Sequence, residues 1–273
     1  MPAAHRDGEP RAPCPTVLSS LRARCSAVTH PGADLLADLA RQLASEDDRA
    51  GVLARVVAAS LTQIDGAEHA GITELTRNGV TTPVATDDLV HQIDQQQYTI
   101  GEGPCLSAAL EGQHTVCVDD LRTDTRWPQF SAAVTSLGVR SMLSFQLYTG
   151  AETSSGPVRR GSGASGGSNR IEVIGALNIY AGSAAAFTDE SVHNGTLLAA
   201  HAAVAAAAAD TTNNLRIALQ SRDMIGQAKG ILMERFKLTP EQAFDLLITA
   251  SQNTNRKLRD LAEHLSATGE LPV

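Results

Sequence analysis

Apolar positions first repeat at helical spacing. Leu35, Leu36, Leu39 and Leu43 mark one helix, and Val52, Leu53, Val56, Val57, Ser60 and Leu61 form the stripe of a second over 49–64. Then the period shortens to two. "AGITEL" and "VTTPVAT" are β-branched runs joined by "TRNG", which predicts a hairpin. "LVHQIDQQQ" reads as a short helix, "HTVCVDD" as a strand, and "WPQFSAAVTSLG" as a helix ending at Gly138. "SMLSFQLY" and "IEVIGALNIYA" are two more strands. An α+β domain follows, about residues 34–187, with a central antiparallel sheet covered by helices on one side.

Two segments break this pattern. Residues 1–33 carry Pro2, Pro10, Pro13, Pro15 and Pro31, which predicts a disordered arm with at most a helical patch at 17–27. Residues 150–170 are rich in Gly and Ser and predict a flexible loop.

From Thr188 to Arg235 there is no proline. Thr188 precedes acids that suit a helix N-terminus, although the Thr-Asp-Glu-Ser run lacks a full capping box. A continuous helix here would be roughly 70 Å long at 1.5 Å per residue. The readings are a dimeric coiled-coil connector, or two helices broken at the "DTTNN" of 210–214.

Beyond lie three short helices. Ser221, Ile225, Ala228 and Leu232 share one face, with Met224 and Ile231 beside it. Thr239-Pro-Glu-Gln242 is a capping box with Pro240 at the first helical position, and Ala243, Leu246, Leu247 and Ala250 face inward. A third helix is expected from near Asn255, with Leu258, Leu261, Ala262 and Leu265 on its core face and Gly269 at its end. On that helix Arg256 would point away from the core, between Lys257 and Arg259.

Charge sharpens this. The chain of 273 residues has a formal charge of −8, so it does not as a whole invite a polyanion. From Leu215 onward, however, Lys and Arg slightly outnumber Asp and Glu. Arg222 and Lys229 lie seven apart on one stripe, and between and beside them stand Gly226 and Gly230. A glycine inside a helix costs roughly 1 kcal/mol against alanine, which makes sense where a helix or an RNA backbone must come close. Aromatic residues are 3% of the chain; in this module only Phe236 and Phe244 occur, neither placed on an obviously exposed face.

"SRDMIGQAKGILMERFKLTPEQAFDLLITASQNTNRKLRDLAEHL" resembles the ANTAR domain, the RNA-binding output module of bacterial antitermination regulators. The resemblance covers residues 215–266. It implies binding to tandem RNA hairpins that would otherwise give way to a terminator. It also implies RNA contact by Arg222, Gln227, Lys229, Arg256 and Lys257, with Gln227 on the flank opposite Lys229 and Ala228 serving packing. "TIGEGPCLSAALEGQHTVCVDDLRTDTRWPQFSAAVTSLGVRSML" and "GALNIYAGSAAAFTDESV" resemble GAF domains, especially those fused to ANTAR domains in actinobacteria. GAF domains bind small ligands or serve as dimerising inputs, and the fold names no ligand.

The expected organisation is therefore an arm over 1–33, a GAF sensor over 34–208, an ANTAR domain over 209–268 and a tail over 269–273. The expected partners are hairpins in nascent transcripts, a second copy of the chain, and a small molecule or protein at the GAF domain. A DNA-binding regulator using the last helices, with the GAF part as a dimerisation scaffold, is the alternative.

An enzyme is not expected, because no nucleophile elbow, P-loop or zinc motif occurs. Neither is a cofactor or metal: His69, His91 and His114 are isolated, and Cys14, Cys25, Cys105 and Cys117 have neither zinc nor disulfide spacing. Cys105 reads as a buried, inert thiol, Asp119 and Asp120 as a strand-end turn, and "GEGPC" as a turn into a helix at Leu106 whose N-terminus could meet an anion. No signal-peptide core or membrane span is apparent, so a reduced cytoplasmic setting is expected.

Overall fold

The computed structural model describes residues 31–46, 48–150, 159–160 and 171–272. Cys14, Cys25, the patch at 17–27 and most of the expected arm lie outside them. Contacts divide the chain into residues 1–39 and 40–273. Helix α1 (Pro31–Ala44) begins inside the expected arm, so residues 31–33 are helical.

Within the second unit, α2 (Arg49–Gln63) starts where the Asp48 carboxylate accepts the Gly51 N–H at 2.8 Å. The predicted hairpin is β1 (His69–Thr76) and β2 (Gly79–Ala85), closed at Thr76 and Gly79. Helix α3 (Asp88–Ile100) ends on Gly101 in the left-handed region. Next come α4 (Pro104–Glu111), β3 (Thr115–Val118) and α5 (Pro128–Val134), then a 3-10 turn that ends on left-handed Gly138. β4 (Ser141–Thr149), β5 (Arg159–Arg160) and β6 (Glu172–Ala181) complete the sheet. Its order is β2-β1-β6-β4-β3, with every one of these neighbours antiparallel. β5 pairs with the start of β6 in parallel, so the expected loop of 150–170 contains a short strand; 151–158 and 161–170 lie outside the described residues.

Helices cover both faces of the sheet, not one. Met142, Ala176 and Tyr180 pack with Val90, Ile93, Trp127 and Phe130 on the side of α3 to α5. Phe145, on the opposite face of β4, meets the long helix, where a Cβ on Gly195 would lie 2.3 Å from its ring. Alternation along β4 and β6 buries both sets, so each strand reads as a nearly continuous apolar run. That run hides which face is covered.

Helix α6 runs unbroken from Asp189 to Phe236 for 48 residues, through the suspected weak point at 210–214. Thr211 and Thr212 there donate their hydroxyls to carbonyls four residues back, at 2.9 Å each, instead of competing with the helix. Its N-terminus is a complete capping box after all. Ser191 takes the place of the usual Glu, its hydroxyl accepting the Thr188 N–H at 3.1 Å. Residues 211–220 are exposed throughout. Helices α7 (Pro240–Thr254) and α8 (Leu258–Thr268) fold back on the end of α6. No helix among the described residues is long and apolar enough to cross a membrane.

Candidate nucleic-acid interface

The C-terminal module is built on one small core: Ala228 and Leu232 of α6, Ala243, Leu247 and Ala250 of α7, and Leu261, Ala262 and Leu265 of α8. The Thr239–Gln242 capping box starts α7 as the sequence predicts, with Gln242 Oε1 accepting the Thr239 N–H at 3.0 Å. Gly269 ends α8 in the left-handed region. There the Arg235 guanidinium donates to the Gly269 carbonyl, tying the chain end to α6.

The third helix departs from expectation. Asn255 does not open it; with φ 51° it is the left-handed cap of α7. Helix α8 begins at Leu258, behind Lys257. Arg256 and Lys257 therefore project from a turn, and the helical-wheel placement of Arg256 does not hold. The turn is braced by the Ser251 hydroxyl donating to the Arg256 carbonyl at 2.6 Å and by the Arg256 N–H donating to the Ser251 carbonyl at 3.2 Å.

Each residue expected at the RNA has a definite place. Arg222, Gln227, Arg256 and Lys257 are exposed, and Lys229 is half-buried. Arg222 pairs with its exposed neighbour Asp223 at 3.4 Å, a pair of little energetic weight. Among the described residues, Lys229, Arg256 and Lys257 form no ion pair, so their charge is uncommitted. Glu241 lies near enough to feel Lys229. Its carboxyl is held below the usual range by its own backbone N–H, then by the Thr239 hydroxyl, and also by that lysine. A Cβ on Gly226 or Gly230 would meet nothing within 4 Å. Among the described residues these glycines serve no packing. The surface thus offers cations and bare helix backbone, which suits phosphate contact.

Sequence reasoning missed the aromatics. Phe236 is 54% exposed and Phe244 38%. The missed signal is a spacing: Phe236 follows Lys229 by seven residues, as Lys229 follows Arg222, so all three share one stripe of α6.

The candidates in the α/β module are spent on structure. Cys105 is fully buried, and burial first, then the Asp94 charge, pushes its thiol well above the usual range. The N-terminus of α4 is met by Gln97, whose Oε1 accepts the Cys105 N–H at 3.0 Å, so no anion is needed there. Asp120 does form a strand-end turn. A hydrogen bond from Arg140 is the chief cause that lowers its carboxyl to about 2. His69 pairs with Asp87 at 2.6 Å, and His114 with Gln146 at 2.9 Å. Among the described residues no group of three His, Cys, Asp or Glu could hold a metal ion.

Beneath α3 lies a buried polar seam that the sequence did not reveal. Asp94 receives hydrogen bonds from Tyr180, from Thr82 at 2.7 Å and from Gln97 at 3.2 Å. Tyr98 bridges Thr82 and Thr73 at 2.7 and 2.9 Å, and Asn178 donates to Thr73 at 2.9 Å. A cleft of about 590 Å³ opens elsewhere, between the start of α2, the ends of β1 and β6, and α6; Arg49, Glu74, Asp210 and Asn214 line it.

Residues 213–265 match the ANTAR domain family. No curated protein matches the chain. Among solved structures, the photosensory core module of a Stigmatella aurantiaca phytochrome is 9% identical, with a TM-score of 0.50, over 92% of this chain and 46% of that one. The cyanobacteriochrome TePixJ GAF domain is 12% identical, with a TM-score of 0.43, over 62% and 96%. Free methionine-R-sulfoxide reductase from Neisseria meningitidis is 17% identical, with a TM-score of 0.43, over 66% and 90%. At such identities the likeness is one of fold. One long helix joins the α/β module to the segment that matches the ANTAR domain family.

Proposed function

We propose that this chain is a signal-responsive RNA-binding regulator of transcription antitermination, in which the GAF module controls ANTAR binding to tandem RNA hairpins near terminators. One observation carries the reading. The segment matching the ANTAR family is also the module whose Lys229, Arg256 and Lys257 have no ion pair among the described residues. On this reading Arg222, Lys229, Arg256 and Lys257 meet phosphates, Gln227 meets the RNA from the other flank, and the loops expose bases to be read. The protein works in the cytoplasm, with a sensor over 34–208 and an RNA module over 209–268. It has no catalytic step.

Two copies act together. Val204, Leu215 and Leu219 are large, exposed and share one face of α6, the pattern of a helix awaiting a parallel partner. A small molecule or protein at the GAF module would shift α6 between states and so change how the two RNA modules are presented.

The test is a crosslinking pulldown from cells, comparing wild type with Lys229→Ala/Arg256→Ala. Enrichment of paired hairpins beside terminators, lost in the variant, is the expected result. Preference for duplex DNA over hairpin RNA in vitro would replace the proposal with the DNA-binding reading.

A further inference from the structure

The chain has five phenylalanines, three tyrosines and one tryptophan, and all lie among the described residues. Phe236 and Phe244 alone are exposed, and both belong to the C-terminal module. A single exposed apolar side chain needs no explanation. Two exposed rings in one small module, in a chain that buries or half-buries every other Phe, Tyr and Trp, do.

Phe236 stands in line with two of the cations, and Phe244 lies one turn from a carboxylate that feels Lys229. Arg222, Lys229 and Phe236 succeed each other at intervals of seven along α6, a stripe that drifts by only about 20° per interval. Lys229 and Phe236 are thus roughly 10 Å apart along the axis. Glu241, on the first turn of α7, lies within the electrostatic reach of Lys229. Phe244 follows Glu241 by three residues, one turn further on the same side of α7. Gly226 and Gly230 leave bare backbone beside Arg222 and Lys229, where a Cβ would meet nothing. A ribose-phosphate chain laid along the cations would bring its bases to the rings.

We propose that Phe236 and Phe244 are the platforms on which the module stacks unpaired bases from the loops of its hairpin RNA. The inference rests on the RNA-binding reading above and adds how bases, as distinct from phosphates, are held. Loops present unstacked bases, every base has a π-face, and an aromatic ring holds it without a hydrogen-bond code. The cations fix the backbone by charge; the rings supply the part of the affinity that salt does not screen.

The experiment uses the full chain and a library of tandem RNA hairpins with randomised loops. Affinity of the selected RNA is measured against salt for wild type, Phe236→Leu, Phe244→Leu and Lys229→Ala. Leucine keeps the apolar bulk and removes the ring, and a thermal melt checks that each variant folds. Each Phe→Leu change is expected to weaken binding by roughly 5- to 150-fold, the loss of one stacked base, with the salt slope unchanged. Lys229→Ala is expected to lower the slope itself. Phe236→Trp should restore binding, and its indole emission should be quenched by RNA.

Wild-type binding that the Leu variants match, with no quenching in Phe236→Trp, overturns the stacking role and leaves the RNA reading standing. If the wild type enriches no RNA, both fall. Leu variants that change the oligomeric state and keep RNA affinity assign the rings to a second copy of the chain instead.

Discussion

Arg49 holds Asp210. From the first position of α2 its guanidinium reaches the carboxylate of Asp210 in α6 and, at 2.6 Å, that of Glu74 in β1. Asp210 marks the point where α6 leaves the α/β module, because every residue from 211 to 220 is exposed. The ion pair fixes where the held part of α6 ends and the bare part begins.

The two ends of this clamp should fail differently. Glu74 is 17% exposed and Asp210 44%. Arg49→Ala strands the better buried carboxylate and should cost about 1–3 kcal/mol in a chemical melt. Asp210→Ala removes the more solvated partner and should cost only about 0–1 kcal/mol. Yet it frees the helix, so hydrogen exchange along 203–214 should quicken while the sheet stays protected. Unchanged exchange there would mean that apolar packing alone holds α6 to the α/β module.

Asp94 makes a pH prediction. Burial raises its carboxyl above the ordinary value, a shift only partly offset by hydrogen bonds from Tyr180, Thr82 and Gln97. A group whose folded pKa is raised contributes stability that is complete below its unfolded value, about 4, and is lost as pH rises through the folded value. Asp94→Asn removes that titration and keeps the shape. Its stability between pH 4 and 8 should therefore vary less than that of the wild type, and denaturant midpoints across this range decide the matter.

Legibility in the sequence followed the range of the interactions. The Thr239–Gln242 box, the hairpin at Thr76–Gly79 and the ends at Gly138 and Gly269 were readable because each is set within a few residues. The helix from Asp189 to Phe236 was legible only in part: the run lacks proline, but 210–214 left a break open, and only the Thr211 and Thr212 hydroxyls bonded back to the helix close it. The start of α8 was not, because Lys and Arg are good helix formers and only a left-handed Asn255 stops them joining it. The seam at Asp94 was invisible for another reason: it joins residues as far apart as Asp94 and Tyr180. Of the candidate interface, the cations are suggested by resemblance. The exposure of Phe236 and Phe244 depended on how three helices pack, which no local pattern states.

Gly226 and Gly230 should show a trade between stability and binding. Both are helical, exposed and free of neighbours. Alanine at either position should stabilise the module by about 0.5–1 kcal/mol, since it limits the unfolded chain and costs no contact. If RNA comes close to the bare backbone, the same methyl should weaken binding. A higher melting temperature together with lower RNA affinity is the expected pair. Higher stability with full affinity would remove these glycines from the interface.

The exposed stripe on α6 sets the last test. Leu215 is 61% exposed and Leu219 54%, within a run of ten residues that are all exposed among the described ones. Lysine is nearly as good a helix former as leucine, so Leu215→Lys/Leu219→Lys should leave the helix and both cores intact. If a second copy covers this stripe, paired positive charges should split it, and light scattering should show a dimer become a monomer. The consequence for RNA then separates the copy number from the site. A single hairpin occupies one module, so its affinity should not change. Two tandem hairpins engage two modules at once, and the loss of that linkage should weaken binding by roughly 10²–10⁴-fold. A monomeric variant that binds tandem hairpins as tightly as the wild type would show that one module reads both.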